Sequence, residues 1–213
     1  HYASGGSIRD FVNGGLLEPE CADVFKDKWG PIDQIDPSLK LRKHQEQAIS
    51  FAKERQSYVV TTGTGSGKSL CFFIPIIDAA IRAKKAGGGA RTRAIVIYPM
   101  NALANSQAKE LEGYLGSATG GMVTYARYTG QESAEDRELI KANPPDILLT
   151  NFMMLELLMT RQSELDQKVL QNCEGLEFIV LDELHTYRGR QGADVAMLMR
   201  RLRSRIGDPS NPP

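Results

Sequence analysis

The hydrophobic positions of this chain form short apolar runs that are separated by longer segments of helix length. The runs of strand length lie at 58–61, 94–98, 122–125, 147–150 and 178–181. Most of them are rich in β-branched or aromatic residues. The segments of helix length lie at 68–85, 101–115, 131–141, 151–171 and 193–206. Strands that alternate with helices predict an α/β fold with a mostly parallel sheet covered on both faces.

The first 37 residues lack this alternation. Two glycine pairs and the steps Gly30-Pro31 and Asp36-Pro37 make the segment irregular, and one short helix is predicted around 18–28. From Leu41 the pattern sharpens, because a set of residues falls on one helix face: Leu41, Gln45, Ala48, Ile49 and Ala52. We therefore predict an N-terminal extension at 1–37 and a single domain at 38–213.

Composition indicates an ordinary globular protein. Hydrophobic residues make up 41% of the chain and charged residues 24%, and no apolar run is long enough to cross a membrane. The 26 basic and 26 acidic residues cancel, so any nucleic-acid binding must use a local surface. Cys21, Cys71 and Cys173 are far apart, which favours reduced thiols in a cytosol over a disulfide framework or a zinc site.

The segment from Thr61 to Ser69 has the composition of a phosphate-binding loop. It follows a predicted strand and opens a predicted helix, and its glycines let backbone N–H groups turn toward phosphate oxygens. Lys68 is expected to contact the β- and γ-phosphates of ATP, and the Ser69 hydroxyl to hold Mg²⁺. The residues predicted to bind the nucleotide here are Thr62, Gly63, Thr64, Gly65, Ser66, Gly67, Lys68, Ser69 and Leu70.

Two adjacent carboxylates, Asp182 and Glu183, directly follow the last predicted strand. At the carboxyl edge of a parallel sheet, such groups face the same crevice as a phosphate loop. Asp182 is expected to hold Mg²⁺ through water, and Glu183 to act as the general base that orients the attacking water. An Asp-Glu pair at a strand end is as often a solvated turn. The phosphate loop earlier in the chain favours the catalytic interpretation.

Lys68 together with Asp182-Glu183-Leu184-His185 resembles the DEAD/DEAH-box helicases of superfamily 2, and the similarity covers roughly 38–206. The resemblance implies a RecA-like three-layer α/β/α domain that uses ATP and Mg²⁺. It implies that Gln45 contacts adenine, although Gln45 also fits the buried helix stripe. It further implies that His185 couples the ATP site to nucleic acid or to a partner domain. The strict loop pattern requires glycine in place of Thr62, a position that this superfamily commonly relaxes.

Three further segments, 98–107, 128–130 and 150–151, follow predicted strands and resemble the nucleic-acid-contact motifs of the same family. The resemblance assigns contacts with the sugar-phosphate backbone to Pro99, Met100, Asn101, Asn105, Thr129, Gly130, Thr150 and Asn151. Contacts of this kind predict little sequence specificity.

The stretch DELHTYRGRQGADVAMLMRRL at 182–202 is similar to large prokaryotic helicases of the YprA (MrfA) type and to Lhr-like helicases. The resemblance implies a cytoplasmic, DNA-dependent ATPase of DNA repair or phage defence that acts on single-stranded DNA. It also implies a second RecA-like motor domain that supplies an arginine finger, for which 38–213 contains no motif. We therefore expect this chain alone to bind nucleotide weakly and to hydrolyse it slowly.

Two other functions remain open from the sequence. One is an RNA helicase with the same engine, because residues that recognise the 2′-hydroxyl cannot be identified from sequence. The other is a nucleotide-gated binding or assembly module that does not translocate. The presence of Lys68, Asp182 and Glu183 argues against the module, since a protein that does not hydrolyse ATP has no chemical need for Glu183.

Two groups of basic residues have two interpretations, a solvated surface and a phosphate contact. One group flanks the glycine-rich stretch at 86–90 and consists of Lys84, Lys85, Arg91 and Arg93. The other consists of four arginines between 200 and 205, outside the apolar face of the last predicted helix. We expect a solvated surface for both groups.

Overall fold

The computed structural model describes residues 3–26, 38–63, 65–116 and 121–206. The chain divides into two compact units, one comprising His1–Gly88 with Tyr114–Val123 and the other Gly89–Gly113 with Thr124–Pro213. Within the described segments, no helix has the length and apolarity needed to cross a membrane.

The first unit joins the predicted N-terminal extension to the start of the predicted domain. Strand β1 (Ser4–Ser7) pairs antiparallel with β2 (Lys40–Arg42). The helices of this unit are α1 (Ile8–Asn13), α2 (Cys21–Val24), α3 (Lys43–Lys53) and α4 (Leu70–Lys85). The helix predicted around 18–28 is shorter than expected, and 27–37 lie outside the described residues.

A buried carboxylate, Asp78 on α4, connects three parts of the first unit. Its side chain is within 2.8 Å of the Lys53 ammonium on α3 and 3.2 Å of the Arg82 guanidinium on α4. It also accepts a hydrogen bond of 2.6 Å from the backbone N–H of Glu18. Lys85 extends the network, because its ammonium pairs with the Glu18 carboxylate at 2.9 Å. The segment that precedes α2 is therefore fixed to α3 and α4 by charge as well as by packing.

Helix α4 is apolar on nearly all sides and contains Pro75. Proline has no N–H to donate to the carbonyl oxygen of Cys71, one turn earlier. The Tyr58 hydroxyl donates to that carbonyl instead, at 2.7 Å. This contact replaces the hydrogen bond that the proline removes, and it holds Tyr58 beside the helix.

The strand predicted at 58–61 is wrong. These residues are irregular, and the Val59 side chain is 75% exposed. A β-branched pattern forms a strand only where a neighbouring backbone completes the ladder. The parallel sheet that the structure describes is built by residues of the second unit alone, and the Tyr58 ring stacks on Phe51 instead, with 6.1 Å between ring centroids.

The second unit contains a four-stranded parallel sheet in the order β4-β5-β3-β6. The strands are β3 (Ala94–Tyr98), β4 (Tyr125–Tyr128), β5 (Ile147–Asn151) and β6 (Phe178–Leu181). Only β4 differs substantially from its predicted bounds, because it begins later. Thr124, inside the predicted strand, accepts the N–H of Ile147 at 3.1 Å, but it donates its own N–H and its hydroxyl to the Asp146 carboxylate at 3.0 and 3.1 Å.

Helices flank this sheet in sequence, as an α/β pattern requires. Those that begin in the second unit are α5 (Asn101–Leu115), α6 (Ala134–Ala142), α7 (Phe152–Thr160), α8 (Glu164–Gln171) and α9 (Arg190–Ile206). The single helix predicted at 151–171 is two helices, because the Ser163 side chain accepts the N–H of Asp166 and caps a new start. Leu148, Leu155 and Leu198 belong to one apolar core shared by β5, α7 and α9.

The two basic groups have different environments. Arg93 is buried, contrary to expectation, and its guanidinium lies 3.5 Å from the Asp146 carboxylate and 3.3 Å from that of Glu177. The guanidinium of Arg91 also pairs with Glu177, at 2.8 Å. The arginines of α9 are exposed, as expected, and the Arg205 guanidinium binds the Met159 carbonyl oxygen at 3.0 Å.

Candidate nucleotide and nucleic-acid sites

The predicted phosphate-binding loop lies in the first unit and leads into α4. Gly65 and Gly67 each have φ of +71°, a backbone conformation that glycine adopts without steric cost. The Lys68 ammonium donates to the Thr62 carbonyl oxygen at 3.3 Å, and the Thr62 and Ser66 hydroxyls share a hydrogen bond of 2.6 Å. Thr64 lies outside the described residues.

Three side chains from the start of α3 bind three successive carbonyl oxygens of this loop. The pairs are Arg42 with Gly65 at 3.1 Å, His44 with Ser66 at 3.1 Å and Gln45 with Gly67 at 2.9 Å. In a trans peptide the C=O and the N–H point in opposite directions, so the N–H groups of 66–68 point away from these side chains. N–H groups that point together away from the body of a loop are what an anion-binding loop requires. The loop therefore fits a bound phosphate.

Gln45, the predicted adenine contact, is held inside the first unit. Gln45 is only 3% exposed, and its side-chain amide oxygen accepts the backbone N–H of Arg42 at 2.8 Å. A Cβ atom added to Gly67 would lie 2.6 Å from the Gln45 amide nitrogen. The observed contacts assign Gln45 a role in shaping the loop. Its contact with adenine stays a prediction.

The two predicted catalytic carboxylates follow β6 in the second unit. The Asp182 N–H continues the ladder by donating to the Ile97 carbonyl oxygen at 3.0 Å, and the Asp182 carboxylate accepts the N–H of Glu183 at 2.9 Å. Glu183 has φ of +49°, a left-handed conformation that is uncommon and costly outside glycine and clusters at functional positions. The Glu183 carboxylate lies 3.2 Å from Nδ1 of His185. The Asp182 carboxylate is a hard oxygen donor of the kind that suits Mg²⁺, and its metal contact stays a prediction.

Asn151 connects three of the predicted nucleic-acid-contact segments. Its amide nitrogen donates to the Asn101 side-chain oxygen at 2.6 Å and to the Thr129 carbonyl oxygen at 3.0 Å. Its amide oxygen caps α7 by accepting the N–H of Met154 at 2.7 Å. The structure thus brings the ends of β3, β4 and β5 together. Their contact with nucleic acid stays a prediction.

The other residues predicted to contact nucleic acid differ in accessibility. Met100 is 56% exposed, whereas Thr150 is fully buried and its hydroxyl donates to the Tyr128 carbonyl oxygen at 2.7 Å. The Asn105 side-chain oxygen accepts a hydrogen bond of 2.5 Å from the Arg127 guanidinium. Thr150 therefore supports the strand ends from inside the sheet, while Met100 lies at the surface.

Glu132 is a residue of this region that the sequence pattern did not identify. Its carboxylate accepts the N–H groups of Thr129 and Gly130 at 2.7 and 2.9 Å, and the Thr129 hydroxyl at 2.8 Å. Burial raises the pKa of Glu132, but these hydrogen bonds lower the pKa by a larger amount. The pKa therefore lies below its ordinary value. An internal carboxylate thus binds the backbone N–H groups of two residues that were predicted to contact the sugar-phosphate backbone.

A cleft of about 670 Å³ opens beside these strand ends in the second unit. We call it the strand-end cleft. One side includes Pro99, Met100, Asn101, Thr129, Gly130 and Asn151. The other side includes residues of α7, Tyr187 and the first turns of α9, none of which the sequence analysis placed at this site. Six of the eight predicted nucleic-acid contacts therefore line one cavity.

The three cysteine thiols do not belong to these sites. All three are free and buried, and burial raises the pKa of Cys71 to about 11 and that of Cys173 to about 12. A thiol with a raised pKa is mostly protonated at neutral pH and is therefore a poor nucleophile.

Comparison with known proteins identifies the family of this chain. Residues 42–212 match the family model of the DEAD/DEAH box helicase. The chain is 32% identical to the ATP-dependent helicase YprA of Bacillus subtilis over 164 residues, which are 77% of this chain and 20% of that protein. It is also 32% identical to the ATP-dependent helicase MJ1574 of Methanocaldococcus jannaschii over 183 residues, 84% of this chain and 25% of the relative.

Among solved structures, the chain resembles the DUF1998 helicase MrfA bound to DNA and AMPPNP, with a TM-score of 0.76 and 26% sequence identity. The match covers 98% of this chain and 26% of MrfA. The predicted RecA-like α/β fold is thereby confirmed. The chain spans about a quarter or less of the length of each of these three relatives.

Proposed function

Because this chain belongs to the DEAD/DEAH box helicase family, we propose that 38–213 form the first motor domain of an ATP-dependent helicase or translocase. Residues 1–37 are its N-terminal extension. The nucleic acid is single-stranded DNA, and a second RecA-like domain of a longer protein completes the motor. This longer protein acts in the cytoplasm of a prokaryote, in DNA repair or phage defence, and the free, buried thiols are consistent with a reducing compartment.

One observation carries the proposal: the carboxylates and the strand-end cleft lie at the same edge of one sheet. β3 is the neighbour of both β5 and β6, with Tyr98 opposite Asn151 and Ile97 opposite Leu181. Asp182 therefore follows the strand next to the one that leads to Met100 and Asn101. Because these strand ends are neighbours, a change at the carboxylates during ATP hydrolysis can alter the positions of the residues proposed to bind nucleic acid.

The proposal gives the residues of the ATP site the following roles. Lys68 binds the β- and γ-phosphates, and the loop N–H groups at 66–68 complete the cradle. The Ser69 hydroxyl and the Asp182 carboxylate hold Mg²⁺, which neutralises the charge that develops on the transferred phosphoryl group. Glu183 orients the attacking water as general base, and His185, 3.2 Å from it, links this carboxylate to bound nucleic acid.

ATP hydrolysis with and without single-stranded DNA tests this function. We expect the full-length protein to hydrolyse ATP faster when DNA is present, and Lys68→Ala and Glu183→Gln to abolish the stimulated rate. The 213-residue chain should hydrolyse ATP slowly, because an arginine finger contributes about 10³–10⁵ in rate and comes from the second domain. Robust unwinding by the 213-residue chain alone would contradict the proposal that a second domain is needed for full activity.

The same assay separates the two other candidate functions. Stronger stimulation by single-stranded RNA than by DNA of equal sequence would favour an RNA helicase. A full-length protein whose function is unchanged by Glu183→Gln would be a nucleotide-gated binding module, since only hydrolysis requires that carboxylate.

A further inference from the structure

The strand-end cleft has apolar surface exposed where a nucleic-acid strand is proposed to bind. Met153 and Met100 are 64% and 56% exposed. The rings of Phe152 and Tyr187 lie beside each other, with 6.2 Å between their centroids and 49° between their planes. Polarisable thioether and aromatic surfaces are favourable partners for the flat faces of nucleobases.

The charges of the cleft distinguish a base from a phosphate. Among the described residues that line it, none is Lys or Arg, and two are acidic, Glu156 and Asp194. Glu156 has a distant partner, because the Arg201 guanidinium lies 4.0 Å from its carboxylate. Asp194 is exposed and makes no ion pair or side-chain hydrogen bond with any described residue. The two carboxylates disfavour a phosphate on the helical side of the cleft, whereas a carboxylate accepts hydrogen bonds from the exocyclic amino group of a base.

We propose that the strand-end cleft binds one unstacked nucleobase that carries an exocyclic amino group, with Asp194 as its hydrogen-bond acceptor. The base packs against Met153 and the Phe152–Tyr187 pair, while the groups at the ends of β3, β4 and β5 hold the adjoining backbone. The cavity of about 670 Å³ falls within the range of about 300–1,000 Å³ usual for small-ligand sites. This inference rests on the proposed nucleic-acid function and adds a base preference to it.

Cytosine and thymine provide the most direct comparison, because both are pyrimidines and only cytosine has an amino group at C4. The experiment measures the affinity of the 213-residue chain for labelled oligo-dC and oligo-dT of about 12 nucleotides, a length within the site size of single-strand-binding domains. We expect oligo-dC to bind roughly fivefold or more tightly than oligo-dT. Asp194→Ala should remove this preference by weakening only the binding of oligo-dC.

Two further variants test whether the preference for oligo-dC depends on the Asp194 carboxylate itself, on overall negative charge or on stacking. Glu135→Ala also removes one exposed negative charge, but from the first turn of α6 and outside the cleft, and it should keep the preference. Met153→Ala should weaken both oligonucleotides by a similar factor, roughly fivefold, because stacking does not depend on base identity.

Each outcome decides the proposal. Equal binding of the two oligonucleotides by the wild-type chain overturns the base preference and leaves the proposed function intact. A preference that survives Asp194→Ala overturns the role of that carboxylate. Absence of binding to both oligonucleotides overturns the inference, whereas the proposed function is tested separately by DNA-stimulated ATP hydrolysis of the full-length protein.

Discussion

The contact between Gln45 and the Gly67 carbonyl oxygen gives a glutamine of this family a role that can be separated from base recognition. If Gln45 shapes the loop, Gln45→Ala should weaken the binding of ATP and GTP alike. Loss of a hydrogen bond to a buried group costs about 1–3 kcal/mol, so the loss of affinity should be roughly tenfold. Titration with fluorescent analogues of both nucleotides measures it.

Gln47→Ala is the matched control, because Gln47 lies exposed on the same helix. It should leave both affinities unchanged. A Gln45→Ala chain that loses ATP but still binds GTP with wild-type affinity would show that Gln45 reads adenine and contributes little to the loop.

Glu132 predicts a pH dependence of stability with a definite sign. Its pKa in the folded chain is lower than the ordinary value of 4.5, so its stabilising contribution is complete above that pH and is lost as the pH falls toward the folded value. Thermal unfolding between neutral pH and pH below 4.5 should therefore show a steeper loss of stability for the wild-type chain than for Glu132→Gln.

Glu135→Gln serves as the control for Glu132, since Glu135 is exposed in the first turn of α6. It should reproduce the wild-type pH profile. Identical profiles for Glu132→Gln and the wild-type chain would mean that the hydrogen bonds to Thr129 and Gly130 contribute nothing to stability.

Sequence proposes roles for single residues only where chemistry fixes their type. Lys68, Asp182 and Glu183 could be proposed because phosphoryl transfer needs an ammonium and two carboxylates at recognisable spacing, and their roles stay predictions. Arg42, His44 and Glu132 were not, because they bind backbone carbonyl or N–H groups whose directions exist only after the loop has folded. Side chains that bind backbone leave no compositional pattern.

At the scale of elements, the cluster at the ends of β3, β4 and β5 depends on one N-cap residue. Asn151 both caps α7 and bridges to Asn101 and Thr129, and substitutions can separate these two functions. Asn151→Ser keeps a capping oxygen but is too short to bridge, whereas Asn151→Ala loses both. We expect both variants to bind single-stranded DNA less tightly, by similar factors, because both release the strand ends.

Only the alanine variant should also lose the helix cap. Its free energy of unfolding should therefore lie about 1 kcal/mol below that of Asn151→Ser, measured by urea denaturation. Wild-type DNA affinity in Asn151→Ser would mean that the bridge does not organise the proposed nucleic-acid site.

Strands were predicted well where an apolar run pairs with another described strand. β3 and β6 have their predicted bounds, and they pair with each other in parallel register. The segment 58–61 has a similar apolar and β-branched composition, but none of the described strands pairs with it, so composition alone predicted it wrongly. The break between α7 and α8 was missed because helical spacing continues across it, and the Ser163 cap that makes the break is a single residue.

At the scale of the whole molecule, the described part of the extension is built into the first unit. Its links are the β1–β2 pairing and the contact of Glu18 with Asp78, both between residues distant in sequence. Sequence periodicity reports only on neighbours along the chain, so the boundary predicted at residue 38 could not reveal them. Ile8, the first residue of α1, is fully buried, so the chain directly after β1 packs into the first unit.

Asp78 is the residue on which this attachment depends most. Asp78→Ala leaves the Lys53 ammonium and the Glu18 N–H without their buried acceptor, and breaking such a buried pair costs about 3 kcal/mol. Arg82→Ala removes a partner whose side chain is 48% exposed, so it should cost less than about 1 kcal/mol. Because α4 starts at the phosphate loop, Asp78→Ala should also weaken nucleotide binding, whereas Arg82→Ala should not. Urea denaturation and nucleotide titration of both variants test this, and equal losses of stability would show that the contacts of Asp78 with Lys53 and Glu18 add nothing beyond its ion pair with Arg82.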